Sequence, residues 1–172
     1  MIITGTKKTA AAAILAAMAI LLGYVEYLIP VVPPIAGIKL GLGNMAVLAA
    51  LILLKSNSLA AGIMLTKVTL TSLLFSGVGG FAYSLAGGVF SLMVMIIACR
   101  CPKLSAAGIS CVGGAAHMAA QVAVAAFLTS TSQVFMLIPV LVAVGTVTGF
   151  LNGAVVNAAS GSLKKYFASE GI

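Results

Sequence analysis

Long apolar stretches alternate along this chain with short segments that contain polar residues, glycine or proline. A helix needs about 20 apolar residues to cross a bilayer, and six of the stretches approach or exceed this length. The pattern therefore predicts an all-α integral membrane protein with six transmembrane helices. The predicted spans cover about residues 10–29, 39–54, 58–76, 81–98, 104–128 and 134–160.

The segments between the stretches carry residues that end helices. Pro30, Pro33 and Pro34 close the first stretch, because proline lacks an amide hydrogen and restricts its own backbone. A cleaved signal peptide is a competing interpretation of this first stretch. The stretch is long for a signal peptide, and more apolar stretches follow it instead of a soluble domain, so we favour a retained span.

Composition agrees with this pattern. The chain has 172 residues, of which 62% are hydrophobic and 6% are charged, and its mean hydropathy is +1.26. A soluble core cannot absorb so much apolar surface. Six spans also leave no room for a soluble catalytic domain, so we predict a single membrane domain over residues 1–172.

The basic residues predict the orientation in the membrane. With the amino terminus in the cytoplasm and six crossings, both termini are cytoplasmic, and the cytoplasmic segments hold seven of the nine basic residues, as the positive-inside rule requires. We expect a bacterial plasma membrane protein whose net charge of +7 reports topology and not nucleic-acid binding. The seven residues are Lys7, Lys8, Lys55, Arg100, Lys103, Lys164 and Lys165.

Acidic residues are almost absent. The sequence has no Asp, and its only Glu residues are Glu26 and Glu170. Carboxylate pairs for acid–base catalysis and carboxylate clusters for Mg²⁺ are therefore missing. Cys99 and Cys101 flank Arg100 at a predicted cytoplasmic turn, where disulfides are not expected. We predict no metal, no cofactor and no catalytic residue, and hence no enzyme activity in this chain.

Lys67 is the residue that topology explains least. It lies near the centre of the stretch Ser58–Gly77, with nine residues before it and ten after it. A lysine at the bilayer midplane costs about 2.5–3.5 kcal/mol on insertion scales, so it usually faces a cavity or a partner group. We therefore expect Lys67 to face the interior of the bundle.

Other polar residues accompany Lys67 within the predicted spans. The set has more cationic and donor groups than carboxylates, which favours an anionic ligand entering from the outer face. Each member also has a structural interpretation: Lys39 could extend to the interface, Asn44 could join two helices, and Glu26 could pair with a lysine. The predicted substrate-binding residues are Lys39, Asn44, Lys67, His117, Gln121, Glu26 and Tyr83.

Three short strings of residues resemble a known family. They are I-K-L-G-L-G-N (Ile38–Asn44), F-A-Y-S-L-A-G-G-V-F-S (Phe81–Ser91) and G-G-A-A-H-M-A-A-Q (Gly113–Gln121). Together they resemble the Gx transporter family, whose members also carry the label heptaprenyl diphosphate synthase component I. The family is similar to the substrate-binding S components of energy-coupling factor transporters, which are six-helix bundles that capture a vitamin-like solute.

The resemblance implies a partner-docking role for small residues of the first span. S components dock through such residues onto a coupling subunit that is driven by ATPases. In this chain the corresponding residues are Ala12, Ala13, Ala16 and Ala17. The resemblance also implies a ligand near Lys39 and Asn44, and a basic residue, often arginine, at the position of Lys67.

Three functions follow from these observations. The first is a membrane subunit that captures an anionic or vitamin-like solute for uptake and relies on a partner for energy, since no G-x-x-x-x-G-K-[ST] phosphate loop is present. The second is a non-catalytic membrane component of a heptaprenyl diphosphate synthase, which would serve a soluble catalytic subunit. The third is a structural membrane subunit whose polar residues only join helices.

Overall fold

The chain folds into a bundle of helices. The computed structural model describes residues 5–28 and 41–169, which are mostly helical and contain no strand. Helices α2 and α3 each continue into one π-helical turn, Ala50–Leu54 and Ser72–Ser76, and a 3-10 turn, Ser132–Leu137, precedes α6. The helices are α1 (Gly5–Leu28), α2 (Asn44–Ala49), α3 (Asn57–Thr71), α4 (Gly77–Ala98), α5 (Ala106–Thr129) and α6 (Ile138–Ser169).

Within these described residues, five helices are long and apolar enough to cross a membrane, and a sixth, shorter apolar helix covers Asn44–Leu54. The prediction of an all-α, multi-pass membrane protein is thereby confirmed. The five long helices span Thr6–Leu28, Asn57–Phe75, Gly77–Ala98, Ala106–Thr129 and Ser132–Ser162. The orientation, with both termini in the cytoplasm, stays a prediction.

The second predicted span begins later than expected. We placed its start at residue 39, but residues 41–43 form a turn and the helix begins at Asn44. Gly41 has φ +69°, a left-handed backbone conformation that ends regular helix geometry. Counting apolar letters could not show this break, because Gly41 and Gly43 sit among apolar neighbours.

The short second helix is the most deeply buried part of the bundle. Val47, Leu48, Ala50 and Leu54 are each 2% exposed or less. They pack against α1 and α3, and the helix also contacts α6. Because three longer helices surround it, the residues at its start point into the interior.

Helices α5 and α6 approach so closely that their backbones touch. A Cβ atom on Gly145 would lie 2.5 Å from the carbonyl oxygen of Gly114, and one on Gly153 would lie 2.5 Å from Cα of Ala107. No side chain fits at these distances. The glycines at four-residue spacing in α6 therefore form a helix-packing face of the kind seen in membrane proteins.

Serine side chains begin two of the helices. The hydroxyl of Ser56 accepts a hydrogen bond from the amide of Leu59 at 3.4 Å, and the hydroxyl of Ser105 accepts one from the amide of Gly108 at 3.2 Å. Such caps satisfy amides that have no partner within the helix. They fix the starts of α3 and α5, and thereby the heights at which Lys67 and His117 lie in the bundle.

Candidate functional site

Gly41 is a junction of three helices. Its amide donates a hydrogen bond to a carboxylate oxygen of Glu26 on α1. Its carbonyl oxygen accepts hydrogen bonds from the amide of Asn44 at 2.8 Å and from the side-chain nitrogen of Asn152 on α6 at 3.0 Å. Glu26 and Asn152 are 8% and 6% exposed, so these bonds are made away from water. The turn before α2 is therefore fixed to the bundle on both sides.

Lys67 reaches this junction from α3. Its ammonium nitrogen donates a hydrogen bond to the side-chain oxygen of Asn44 at 2.8 Å. Lys67 lies ten residues after Asn57 and eight before Phe75, the two ends of the span. At 1.5 Å per residue this places it about 15 Å and 12 Å from those ends. The prediction that Lys67 faces the bundle interior agrees with this contact.

Glycine at position 43 makes room for the lysine side chain. A Cβ atom there would lie 2.6 Å from Cε of Lys67 and 2.8 Å from the carbonyl oxygen of Ala19. Both distances are shorter than any real Cβ contact. The stem of Lys67 therefore lies across the turn between Gly41 and Asn44, where a side chain would block it.

His117 and Gln121 form a pair one turn apart on α5. The Nε2 atom of His117 and the side-chain nitrogen of Gln121 are 3.1 Å apart, and Gln121 is 8% exposed. Helix α4 packs against this pair through Gly87, where a Cβ atom would lie 2.7 Å from the His117 ring. The close approach of α4 restricts the orientation of the imidazole.

These groups line one cleft, which we call the lysine cleft. It contains about 610 Å³ of empty space, including the part that is open to its surroundings. Its residues come from α1, the Gly41 turn, α2, α3, α4 and α5. They are Gly23, Glu26, Tyr27, Gly41, Asn44, Lys67, Val68, Thr71, Phe75, Ser84, Gly88, His117 and Gln121.

A second cleft lies on the other side of Asn44 and His117, and we call it the asparagine cleft. It contains about 320 Å³ of empty space and shares Gly41, Asn44 and His117 with the lysine cleft. Helix α6 contributes Thr148 and Asn152 to its lining. The remaining lining residues are Ser91, Met95, Ser110, Gly114, Met118, Gly145 and Gly149.

Aromatic residues stand at one edge of the lysine cleft. The rings of Tyr27 and Phe75 stack with centroids 4.8 Å apart, and Tyr24 lies 5.4 Å from Phe75. Tyr27 and Tyr24 are 56% and 43% exposed, so they face out of the bundle. This aromatic group joins the ends of α1 and α3 beside Glu26.

The chemistry of the lysine cleft suits binding. Its titratable groups are Glu26, Tyr27, Lys67 and His117, and amides and hydroxyls make up the rest of its polar lining. Across residues 5–28 and 41–169, no group of three or more His, Cys, Asp or Glu side chains is arranged to hold a metal ion. A cleft of this composition can orient an anion through donors and a cation.

The predicted site residues have different outcomes. Glu26, Asn44, Lys67, His117 and Gln121 all line the lysine cleft. Tyr83 lies half-buried on α4 and lines neither cleft, because Ser84 and Gly88 are the residues of that helix that face the lysine cleft. Lys39 lies outside the described residues. The role of the whole set in ligand binding stays a prediction.

The predicted docking alanines divide into two faces of α1. Ala12 is 7% exposed and Ala16 is partly buried, and both belong to the core between α1 and its neighbours. Ala13 and Ala17 are exposed. Residues four positions apart share one face of a helix, and that face can lie against the bundle or outside it. The face of Ala12 and Ala16 lies against the bundle, so the exposed pair Ala13 and Ala17 is the one that a partner helix could contact.

Two residues of the junction did not emerge from the sequence. Asn152 is a polar amide inside a long apolar stretch, which is the same kind of signal that identified Lys67, but it was not among the predicted site residues. Gly41 is one of many glycines, and its partners Glu26 and Asn152 are 15 and 111 residues away along the chain. Such distant partners leave no local pattern.

A comparison with known protein families completes these observations. The family model described as heptaprenyl diphosphate synthase component I matches residues 15–159, which is well over half of the chain. No curated protein and no solved structure shows detectable similarity to it. The matched range contains every described residue of both clefts. The description favours the synthase-component interpretation over the transporter interpretation.

Proposed function

The chain belongs to the heptaprenyl diphosphate synthase component I family, and we propose that it is a membrane subunit that holds a prenyl diphosphate for a separate catalytic subunit. The family description denotes one component of a synthase, which implies a partner subunit. The chain itself is the non-catalytic component. The lysine cleft is the proposed binding site for the diphosphate group.

The position of Lys67 carries this proposal. Its ammonium group lies inside the bundle and is oriented by a neutral amide, Asn44, at 2.8 Å. Charge-assisted hydrogen bonds from an ammonium group to phosphate oxygens are shorter and stronger than hydrogen bonds between neutral groups. Donors from His117 and Gln121 line the same cleft and could contact further oxygens of the ligand.

The lack of aspartate assigns the chemistry to the partner. Prenyl diphosphate synthases are known for aspartate-rich motifs that bind Mg²⁺ and diphosphate. This chain has no Asp and so cannot supply such a motif. Glu26, the one carboxylate of the lysine cleft, already accepts a hydrogen bond from Gly41. The proposed role of the subunit is therefore to retain the substrate or product at the membrane, where its hydrocarbon chain is soluble.

A binding measurement tests the proposal. Farnesyl diphosphate and farnesol share a hydrocarbon chain, so the difference in their affinity for the purified protein in nanodiscs reports recognition of the diphosphate. We expect farnesyl diphosphate to bind more tightly, and Lys67→Met to remove the difference. Lys103→Met, which removes a lysine far from the cleft, is the matched control. Equal binding of the two probes by the wild-type protein would refute the proposal.

Solute capture for a transporter is a second candidate. Two observations favour it: the lysine cleft reaches Glu26 at the predicted outer end of α1, and Ala13 and Ala17 leave a small-residue face exposed. In this case an anionic or vitamin-like solute would occupy the cleft, and a coupling subunit with ATPases would dock on α1. The bacterial plasma membrane is the proposed location for either function.

The partner that co-purifies separates the two candidates. Affinity purification from native membranes is expected to recover a soluble prenyl diphosphate synthase subunit. Recovery of a transmembrane coupling protein with ATPases, abolished by Ala13→Leu and Ala17→Leu, would favour solute capture. Ile14→Leu is the control for these variants, because it changes an exposed residue of α1 without adding bulk.

A further inference from the structure

A third cleft lies at the opposite end of the second helix from Gly41. It contains about 810 Å³ of empty space, part of which is open to solvent. Its apolar part is formed by Leu51, Ile52 and Ile96, and its polar part includes Lys55 and Arg100. The cleft therefore combines an apolar surface with two cationic side chains, and its lining comes from two helices and two turns.

The two cations come from different turns and point to the same cleft. Lys55 follows the π-helical turn Ala50–Leu54, and Arg100 follows α4. Both side chains are exposed, and neither is bonded to another residue within 5–28 or 41–169. The first residue of α3, Asn57, lines the same cleft.

No carboxylate of the described residues balances this charge. Glu26 is the only acidic side chain among them, and it bonds to Gly41 at the far end of the helix Asn44–Leu54. That helix has 11 residues, or about 16 Å at 1.5 Å per residue. The cleft therefore has a net positive charge that an external anion would complement.

The apolar surface beside the cations selects the kind of anion. A free phosphate or an acidic peptide would leave the exposed parts of Ile52 and Ile96 uncovered, whereas Leu51 is already buried in the core. A phospholipid places a phosphate at the membrane interface and hydrocarbon immediately below it. The basic residues also lie at the predicted cytoplasmic end of the bundle, where anionic lipids attract Lys and Arg.

We infer that this cleft binds the headgroup of an anionic phospholipid, with the phosphate between Lys55 and Arg100 and an acyl chain along Ile52 and Ile96. The inference concerns a site at the opposite end of the second helix from the lysine cleft. It does not depend on the function of the lysine cleft. A bound lipid would cover the turn between the second and third helices.

Native mass spectrometry of the full chain tests this inference. The protein is exchanged into detergent with equal amounts of phosphatidylglycerol and phosphatidylcholine that carry the same acyl chains. We expect the wild-type protein to retain phosphatidylglycerol. Each basic residue near anionic headgroups contributes about fivefold in affinity, so the double variant Lys55→Gln/Arg100→Gln should lose the preference by about thirtyfold.

Lys103→Gln is the matched control, because Lys103 is an exposed lysine in the turn that follows α4 and does not line the cleft. It should retain the preference. An equal loss in Lys103→Gln would show general attraction to a basic face and overturn the inference. If the double variant does not fold, the single variants Lys55→Gln and Arg100→Gln are each expected to lose about fivefold, and unchanged binding in both would overturn it.

Two further experiments distinguish a lipid headgroup from inorganic phosphate and from an acidic protein partner. Millimolar inorganic phosphate should not displace phosphatidylglycerol, because it makes no contact with Ile52 or Ile96. Displacement by phosphate would show an anion site without lipid selectivity. Binding of an aspartate-rich peptide through Lys55 and Arg100, with no preference for phosphatidylglycerol, would assign the cleft to an acidic protein partner. Either result would overturn the inference.

Discussion

Lys67 and Asn44 meet inside the helix bundle, where the ammonium nitrogen of one lies 2.8 Å from the amide oxygen of the other. They are 23 residues apart and belong to different helices. A neutral amide orients an ammonium group without adding a countercharge. The pair therefore fixes the position of the ammonium group through a neutral acceptor on another helix.

Asn44→Asp tests whether the lysine cleft holds an anion. The substitution preserves size and the acceptor for Lys67, but it adds a carboxylate that competes with any bound anion. We expect a folded protein whose affinity for farnesyl diphosphate falls by roughly 10–100-fold, since hydrogen bonds to charged groups contribute about 1.5–3 kcal/mol. Calorimetric titration in nanodiscs measures the change.

Asn57→Asp is the control for this substitution, because Asn57 is exposed and lies outside the lysine cleft. It should bind farnesyl diphosphate as the wild-type protein does. Unchanged affinity in Asn44→Asp would mean that the cleft does not hold the diphosphate.

Gly41→Ala is expected to destabilise the bundle. The left-handed backbone of Gly41, with φ +69°, costs about 1–2 kcal/mol for other residues. Its new Cβ atom would also lie 3.2 Å from the side-chain nitrogen of Asn44. Gly62→Ala is the matched control, because a Cβ atom on Gly62 meets nothing within 4 Å and the residue lies inside α3.

The two substitutions are therefore expected to change the midpoint of thermal unfolding in opposite directions. Gly41→Ala should lower the midpoint of thermal unfolding, whereas Gly62→Ala should raise it slightly because alanine favours helix by about 0.5–1 kcal/mol. Thermal unfolding followed by circular dichroism measures both. A Gly41→Ala protein as stable as Gly62→Ala would contradict the role of Gly41 as a junction.

The contact between α5 and α6 gives a second prediction about stability. Gly145→Ala would place a Cβ atom 2.5 Å from the carbonyl oxygen of Gly114, so the two helices must separate. We expect a loss of thermal stability larger than for Gly41→Ala, because the whole interface shifts. Gly161→Ala, in the same helix but with nothing within 4 Å, should raise stability slightly, as Gly62→Ala should. Equal stability of these two variants would show that the close packing is not required.

The sequence predicted the helices and part of the cleft, for reasons that individual residues make clear. Lys67, His117 and Gln121 stood out because each is a polar residue in an apolar run, and burial in a bilayer forces such residues inward. Asn152 gave the same local signal, but its partner Gly41 is 111 residues away. The predicted start of the second helix was wrong, because the left-handed residue Gly41 does not change the hydropathy of the apolar run that contains it.

Cys99 tests both the orientation and the environment of the α4–α5 turn. It lies just after the span Gly77–Ala98, and burial raises the pKa of its thiol above the ordinary value. Maleimides react with the thiolate, so labelling of a Cys101→Ala/Cys111→Ala protein should be slow at pH 7 and rise about tenfold per pH unit while the thiol remains mostly protonated. A membrane-impermeant maleimide should label it in inside-out vesicles and not in intact cells, because the positive-inside rule predicts that this turn is cytoplasmic. Labelling from outside intact cells would contradict the predicted orientation.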